Sequence, residues 1–215
     1  MKDIVIIGAG GCAKETLWII ESINERCPTW NFLGFVNNEN KESVIGDDEW
    51  LKKYPKEIYV VCAIAKPFIR KKVVEQISIN VNIKFATIIH PDILCSSKSI
   101  IGKGTIIAAK SIVSVDASIG EHVLINFGCF IGHDSELNNF STVYTDAKIS
   151  GGVKIGEMVE IGAGSVILEK IQIGDKTSIG LGSVVLRDIP SDCTAMGYPA
   201  KPLLSNKKGC YDSNL

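Results

Sequence analysis

The chain has 215 residues, a formal charge of −1, and a hydrophobic fraction of 46% with only 7% aromatics. That length suits one or two domains, and near-neutral charge argues against a nucleic-acid binder, which would carry a basic stripe. No stretch reaches the ~18 apolar residues of a membrane span, and seven cysteines without a Cys-x-x-Cys pair suit reduced thiols, so a soluble, cytoplasmic protein is expected.

Asp3–Ile7 reads as a buried strand, and Lys14–Ile23 as a helix with Leu17, Ile20 and Ile23 on one face. Phe32–Val36 and Glu57–Ala65 read as further strands. Pro67 suits the start of a helix through Ile77, with Ile69, Val73, Val74 and Ile77 sharing a face. Strand–helix–strand order implies a parallel sheet with covering helices. The turn Gly8-Ala9-Gly10-Gly11-Cys12-Ala13 fits G-x-G-x-x-A, in which glycines admit a phosphate to a helix N-terminus. It is read either as a phosphate site or as a tight βα turn. Asn37-Asn38 stands where a dinucleotide fold puts an acid for the ribose, which speaks against NAD.

From Ile101 to Val185 every sixth residue is Ile, Leu or Val, fifteen times without interruption. Glycine follows seven of these, and four residues after each the side chain is mostly small or branched. A period of six is neither helical nor simple alternation. It fits a short strand and a turn per hexad, three hexads closing one triangular coil. Five coils stacked ~4.8 Å apart make a prism about 24 Å tall, with the recurring aliphatics on its axis and glycine where turns need positive φ. Such solenoids need capped ends. Residues 1–87 are expected at one end and Met196–Pro202 at the other.

The pattern [LIV]-G-x-x-[STAV]-x, the closing Gly197-Tyr198-Pro199-Ala200-Lys201-Pro202 and the leading Gly8-Ala9-Gly10-Gly11 unit together resemble one family. It is that of the sialic-acid O-acetyltransferases and bacillosamine-pathway N-acetyltransferases, hexapeptide-repeat acyltransferases. The resemblance covers about residues 1–203. It implies an α/β, Rossmann-like unit over 1–87 that binds a nucleotide sugar. A left-handed parallel β-helix over 88–203 and a C-terminal tail over 204–215 would follow. It further implies acetyl-CoA as co-substrate without a metal, and a homotrimer with active sites between subunits.

Acetyl transfer needs a general base and a donor to the thioester oxygen. Histidine suits the base at neutral pH, and the chain has only His90, His122 and His133. His133-Asp134 matches the family's catalytic pair, with Asp134 orienting the imidazole. His90, in Ile89-His90-Pro91, is read as structural and His122 as a surface residue. One coil on from His133 stands Gly151, followed by Gly152; the resemblance gives the Gly151 N–H to the acetyl carbonyl. It also places Ala163 and Leu181, counted along the same corner, on the pantetheine arm. Thr142 stands where bacillosamine-pathway relatives carry a second histidine that contacts the acetyl group. Gly8, Gly10, Gly11, Asn37, Asn38 and Ala65 match positions that hold the nucleotide sugar, where relatives often have Asp for the asparagines and Gly for Ala65. The leading expectation is N-acetylation of a UDP- or dTDP-linked amino sugar for bacterial surface glycans. The alternative is O-acetylation of sialic acid or another sugar hydroxyl, and a non-catalytic scaffold stands last. A zinc enzyme needs three converging histidines, and His122 and His133 are not a multiple of six apart.

Overall fold

A computed structural model describes residues 1–38 and 43–203; the expected tail, 204–215, lies outside the described residues. The N-terminal unit is a parallel sheet with strand order β3-β2-β1-β4-β5. Its strands are β1 (Lys2–Ile7), β2 (Trp30–Val36), β3 (Val44–Gly46), β4 (Ile58–Cys62) and β5 (Ile83–Phe85). Its helices are α1 (Gly11–Arg26), α2 (Asp48–Lys52) and α3 (Pro67–Ile77). β3, α2 and β5 escape a reading by periodicity because each is five residues or fewer. The third strand read from sequence stops at Cys62, leaving Ala63–Lys66 as the loop into α3. The buried face of α3 also differs from the expected one. Pro67, Arg70, Val74 and Ile77 point inward, whereas Ile69 is exposed.

Residues 88–202 form the left-handed parallel β-helix. Two-residue strands build three parallel faces. One runs through Ile88–Ile89, Ile106–Ile107, Leu124–Ile125, Thr142–Val143, Glu160–Ile161 and Ser178–Ile179. The next runs from Leu94–Cys95 to Val184–Val185, and the third from Ile100–Ile101 to Gln172–Ile173. Two faces have six rungs, one more than the hexad count gives. The inward register continues back through Cys95 to Ile89, and the cysteine hides it. The axis is a column of Ile, Val and Leu with small residues between, and no aromatic ring enters it. Buried Thr105, Ser111, Ser135 and Ser165 each donate their hydroxyl to the carbonyl fifteen residues on, so these inward hydroxyls are satisfied.

The corners correct the expectation about glycine. Positive φ falls at every sixth position from Gly104 to Gly182, fourteen times, and nine of those residues are not glycine. The glycines that follow the aliphatics are there for another reason. A Cβ on Gly132 would lie 2.5 Å from the Ser150 carbonyl carbon of the next coil. Strand Thr194–Gly197 adds to the first face after Ser178–Ile179 and turns back through Ala200–Pro202, closing that edge as a hairpin.

Residues 1–87 do not cap the end of the prism; they dock on the first face. The outward side chains of its first three strands, Ile88, Ile106 and Leu124, share an apolar cluster with Ile4, Ile6, Ile19 and Ile20. Arg70, 1% exposed, fixes the seam. Its guanidinium donates to the carbonyls of Ile64, Ala65, His122, Phe140 and Ser141 and to Thr142 Oγ1, at 2.6–3.0 Å.

His122 is therefore buried, not a surface residue. It stacks on Phe140, meets Phe85 edge-on and is 2% exposed. Burial, and then the charges of Arg70 and Lys103, push its pKa down from 6.5 to about 4. The unfolded chain thus binds the extra proton between those values, and stability falls as pH drops through that window. The full loss is about 3 kcal/mol. Denaturant midpoints from pH 7 to pH 4 should show this fall, and His122→Asn, which tolerates positive φ, should flatten it. An identical slope in the variant would disprove the assignment. His90 is also internal, its Nδ1 accepting the Asp92 N–H at 2.9 Å.

Candidate active site

His133 and Asp134 occupy the corner between the second and third faces. Successive strand residues would point apart, but Asp134 takes φ 58° and the two side chains converge. His133 Nδ1 lies 2.6 Å from Asp134 Oδ2. An ionised carboxylate only accepts, so Nδ1 is the donor, and in the neutral imidazole this tautomer leaves the lone pair on Nε2. Both side chains are about two-thirds exposed. Nε2 hangs over Gly151, on the next coil, where a Cβ would sit 2.5 Å away. Gly152 N–H donates to the His133 carbonyl at 2.8 Å. The Gly151 N–H has no acceptor among the described residues, so the corner offers a lone pair and a free N–H side by side.

Ala163 and Leu181 are not on that corner. Steps of eighteen from His133 pass Gly151, Glu169 and Arg187, whereas Ala163 and Leu181 follow Phe127 and Thr145 on the corner between the first and second faces. There they line a groove of about 430 Å³ with Lys66, Tyr144, Thr145, Glu160, Gly162, Ser178 and Ile179. The groove spans three successive coils, so it runs parallel to the prism axis. Glu160 is 6% exposed and accepts the Tyr144 hydroxyl at 2.8 Å. Burial and the Glu160 charge hold that phenol well above its ordinary range.

Thr142 does not reach this groove. It is fully buried, donates to the Ala65 carbonyl at 2.8 Å and accepts from Arg70 at 2.9 Å. Its one O–H is spent on Ala65, so it has no donor left for an acetyl oxygen, which corrects that expectation. Ala65 is likewise tied to Thr142 and Arg70 through its carbonyl. Cys129 is buried, with its thiol pushed up to about 11 by desolvation, which removes it as a nucleophile.

Gly8, Gly10 and Gly11 follow β1, Asn37 and Asn38 follow β2, and Ala65 follows β4. All are at the carboxyl ends of adjacent parallel strands. The order reverses between β1 and β4, the place where open α/β sheets take ligands. A Cβ on Gly10 or Gly11 would meet nothing within 4 Å, so the N-terminus of α1 opens to solvent. Arg70, Glu160 and Tyr144 are the residues sequence reasoning missed; Lys66, read beside Ala65 at the end of the third strand, lines the groove. A charged residue in the outward row of the docked face, at Glu160, was the available signal.

Residues 3–77 match the PglD N-terminal domain family. The chain is 30% identical over 173 residues to the GDP-perosamine N-acetyltransferase of Escherichia coli O157:H7, covering 77% of this chain and 78% of that protein. Two solved structures share the architecture. The acetyltransferase domain of PglB from Neisseria gonorrhoeae, in complex with acetyl coenzyme A, is 28% identical with a TM-score of 0.88, covering 94% of this chain and 99% of that one. PerB from Caulobacter crescentus, in complex with CoA and GDP-perosamine, is 27% identical with a TM-score of 0.86, covering 94% and 98%. A Rossmann-like unit docked on a left-handed β-helix, with this degree of identity along most of its length, places the chain in the perosamine- and bacillosamine-type nucleotide-sugar N-acetyltransferase family.

Proposed function

We propose that this protein transfers the acetyl group of acetyl-CoA to the amine of a nucleotide-linked amino sugar. The observation that carries the reading is His133 Nε2 poised above Gly151, with Asp134 on Nδ1. His133 takes the proton from the attacking amine, Asp134 stabilises the imidazolium that forms, and the Gly151 N–H donates to the thioester oxygen as charge develops there. His133 then returns the proton to the departing thiolate. Gly8, Gly10, Gly11, Asn37, Asn38 and the loop at Ala65 hold the nucleotide sugar, and Gly152 leaves room for the thioester. Acetyl-CoA supplies the activated acyl group, its arm lying in the groove at Ala163 and Leu181. We place the reaction in the cytoplasm as part of this proposal, since acetyl-CoA and a nucleotide-linked sugar are both soluble metabolites. No helix among the described residues is long and apolar enough to cross a membrane.

The two half-sites lie on different corners, and the second face lies between them. Its outer row is Leu94, Ile112, Phe130, Lys148, Val166 and Val184, mostly apolar and solvent-facing in one chain. The third face presents Ile100 at its first rung and then only polar residues, Ser118, Glu136, Lys154 and Gln172. A ring of three copies about the apolar face sets the His133 corner of one against the Ala163 corner of the next. That interface is heterologous and closed, and a monomer mass by light scattering would remove it.

Thiol release from acetyl-CoA against a panel of GDP-, UDP- and dTDP-amino sugars, with free sialic acids alongside, tests the reaction. Turnover on an amino sugar is expected. Turnover on sialic acid alone would replace it with O-acetylation, and none on any acceptor would overturn the transferase reading.

A further inference from the structure

The outward row of the docked face changes chemistry along its length. Ile88, Ile106 and Leu124 are apolar where the N-terminal unit covers them, and Thr142 meets Arg70. Glu160 and Ser178 then face the groove. A carboxylate with an 8% exposed side chain costs several kcal/mol to bury unless it is paired. Its ion partner does not explain it. Lys66 Nζ lies 3.4 Å from Oε1, on a side chain 62% exposed, and such pairs contribute little. Oε1 also accepts from Tyr144, whereas Oε2 has only the Ser178 hydroxyl at 3.4 Å. One carboxylate oxygen therefore keeps acceptor capacity at the groove wall.

We propose that Glu160 is a donor-specificity residue whose carboxylate accepts an amide N–H of the pantetheine arm of acetyl-CoA. The inference rests on the acetyltransferase reading and adds the residue that reads the donor. Levels along the axis fit it. Gly151 belongs to the coil that starts at Thr142, and Glu160 starts the next, ~4.8 Å higher. In a ring with parallel axes these levels coincide between copies. With the thioester carbonyl at Gly151, the first pantetheine amide, two carbons from the sulfur, comes level with Glu160. The groove continues past Ala163 and Leu181 for the rest of the arm. Lys66 must swing away as the arm enters, which its exposure permits.

Calorimetric titration with CoA and steady-state kinetics on the full chain test this. Glu160→Gln, which keeps an acceptor but loses the charge, should weaken CoA binding and raise the KM for acetyl-CoA about 10-fold. The KM for the amino sugar and kcat should stay within about two-fold of wild type, since the change removes uniform binding. Glu160→Leu should weaken CoA further. With S-acetyl ethanethiol, a donor without amides, wild type and Glu160→Gln should have equal kcat/KM. Unchanged CoA affinity in both variants, or an equal loss with the amide-free donor, would overturn the proposal. CoA binding without turnover on any amino sugar would sink the acceptor reading and leave the Glu160 result readable by calorimetry.

Discussion

Replacing His133 with alanine should lower kcat by about 10²–10⁴-fold with little change in thermal stability. The side chain is 63% exposed and lies over the Gly151 corner, so its removal opens no buried cavity. The companion change, Gly151→Ala, reaches the same ring from the other side. Its methyl would sit 2.5 Å from Nε2, so the imidazole must move off the N–H it overhangs. Folding should be nearly unaffected, because the far end of an exposed side chain yields easily. Catalysis should not, because a displacement of about 1 Å from productive geometry costs on the order of 10²-fold. Thiol-release kinetics beside melting curves separate the two effects. Wild-type kcat in His133→Ala would move the base elsewhere in the molecule.

Arg70→Met should be the most destabilising of the substitutions considered, by about 3–5 kcal/mol. Among the described residues the guanidinium has no carboxylate partner in contact; its acceptors are main-chain carbonyls and Thr142 Oγ1. Burial drives its pKa below the ordinary arginine range, and those carbonyls compensate for the lost hydration. Methionine fills the stem's volume and leaves buried carbonyls at Ile64, His122 and Phe140 short of a donor. A fall of about 10 °C in the melting midpoint is the expected scale. Lysine, with three donors on one nitrogen, should recover only part of it. An unchanged midpoint in Arg70→Met would mean that the seam is held by the apolar cluster alone. The histidine that the family resemblance implies at Thr142 would meet this same seam, so Thr142→His is expected to disturb docking rather than restore an acetyl contact.

Legibility from sequence followed the strength of the local pattern. The prism was readable because its inward register repeats without a break from Ile101 to Val185, and because a sheet face cannot slip by one residue without exposing its core. The coil before it breaks the aliphatic series at Cys95, so it entered the β-helix through the family resemblance and not through the repeat. The His133 corner was readable because histidine followed by an acid, with glycine eighteen residues on, is a local signature. The groove was not. Its walls come from a loop near residue 66 and from three coils, and such proximity is created only by docking. His122 was misjudged, and Arg70 passed over, for the same reason. A lone arginine on a helix and a lone histidine at a corner are ordinary surface residues until two units close over them.

The change of chemistry along the docked row has a consequence for the length of the solenoid. The rungs at Ile88, Ile106 and Leu124 carry the N-terminal unit, and those at Thr142, Glu160 and Ser178 serve the seam and the groove. His133 sits on the coil that joins the two tasks. The number of turns is therefore a functional dimension, set by a docking platform and a reaction platform stacked end to end. Removing a turn from the early part would loosen the attachment of the N-terminal unit, and removing one from the late part would shorten the groove at Ala163 and Leu181.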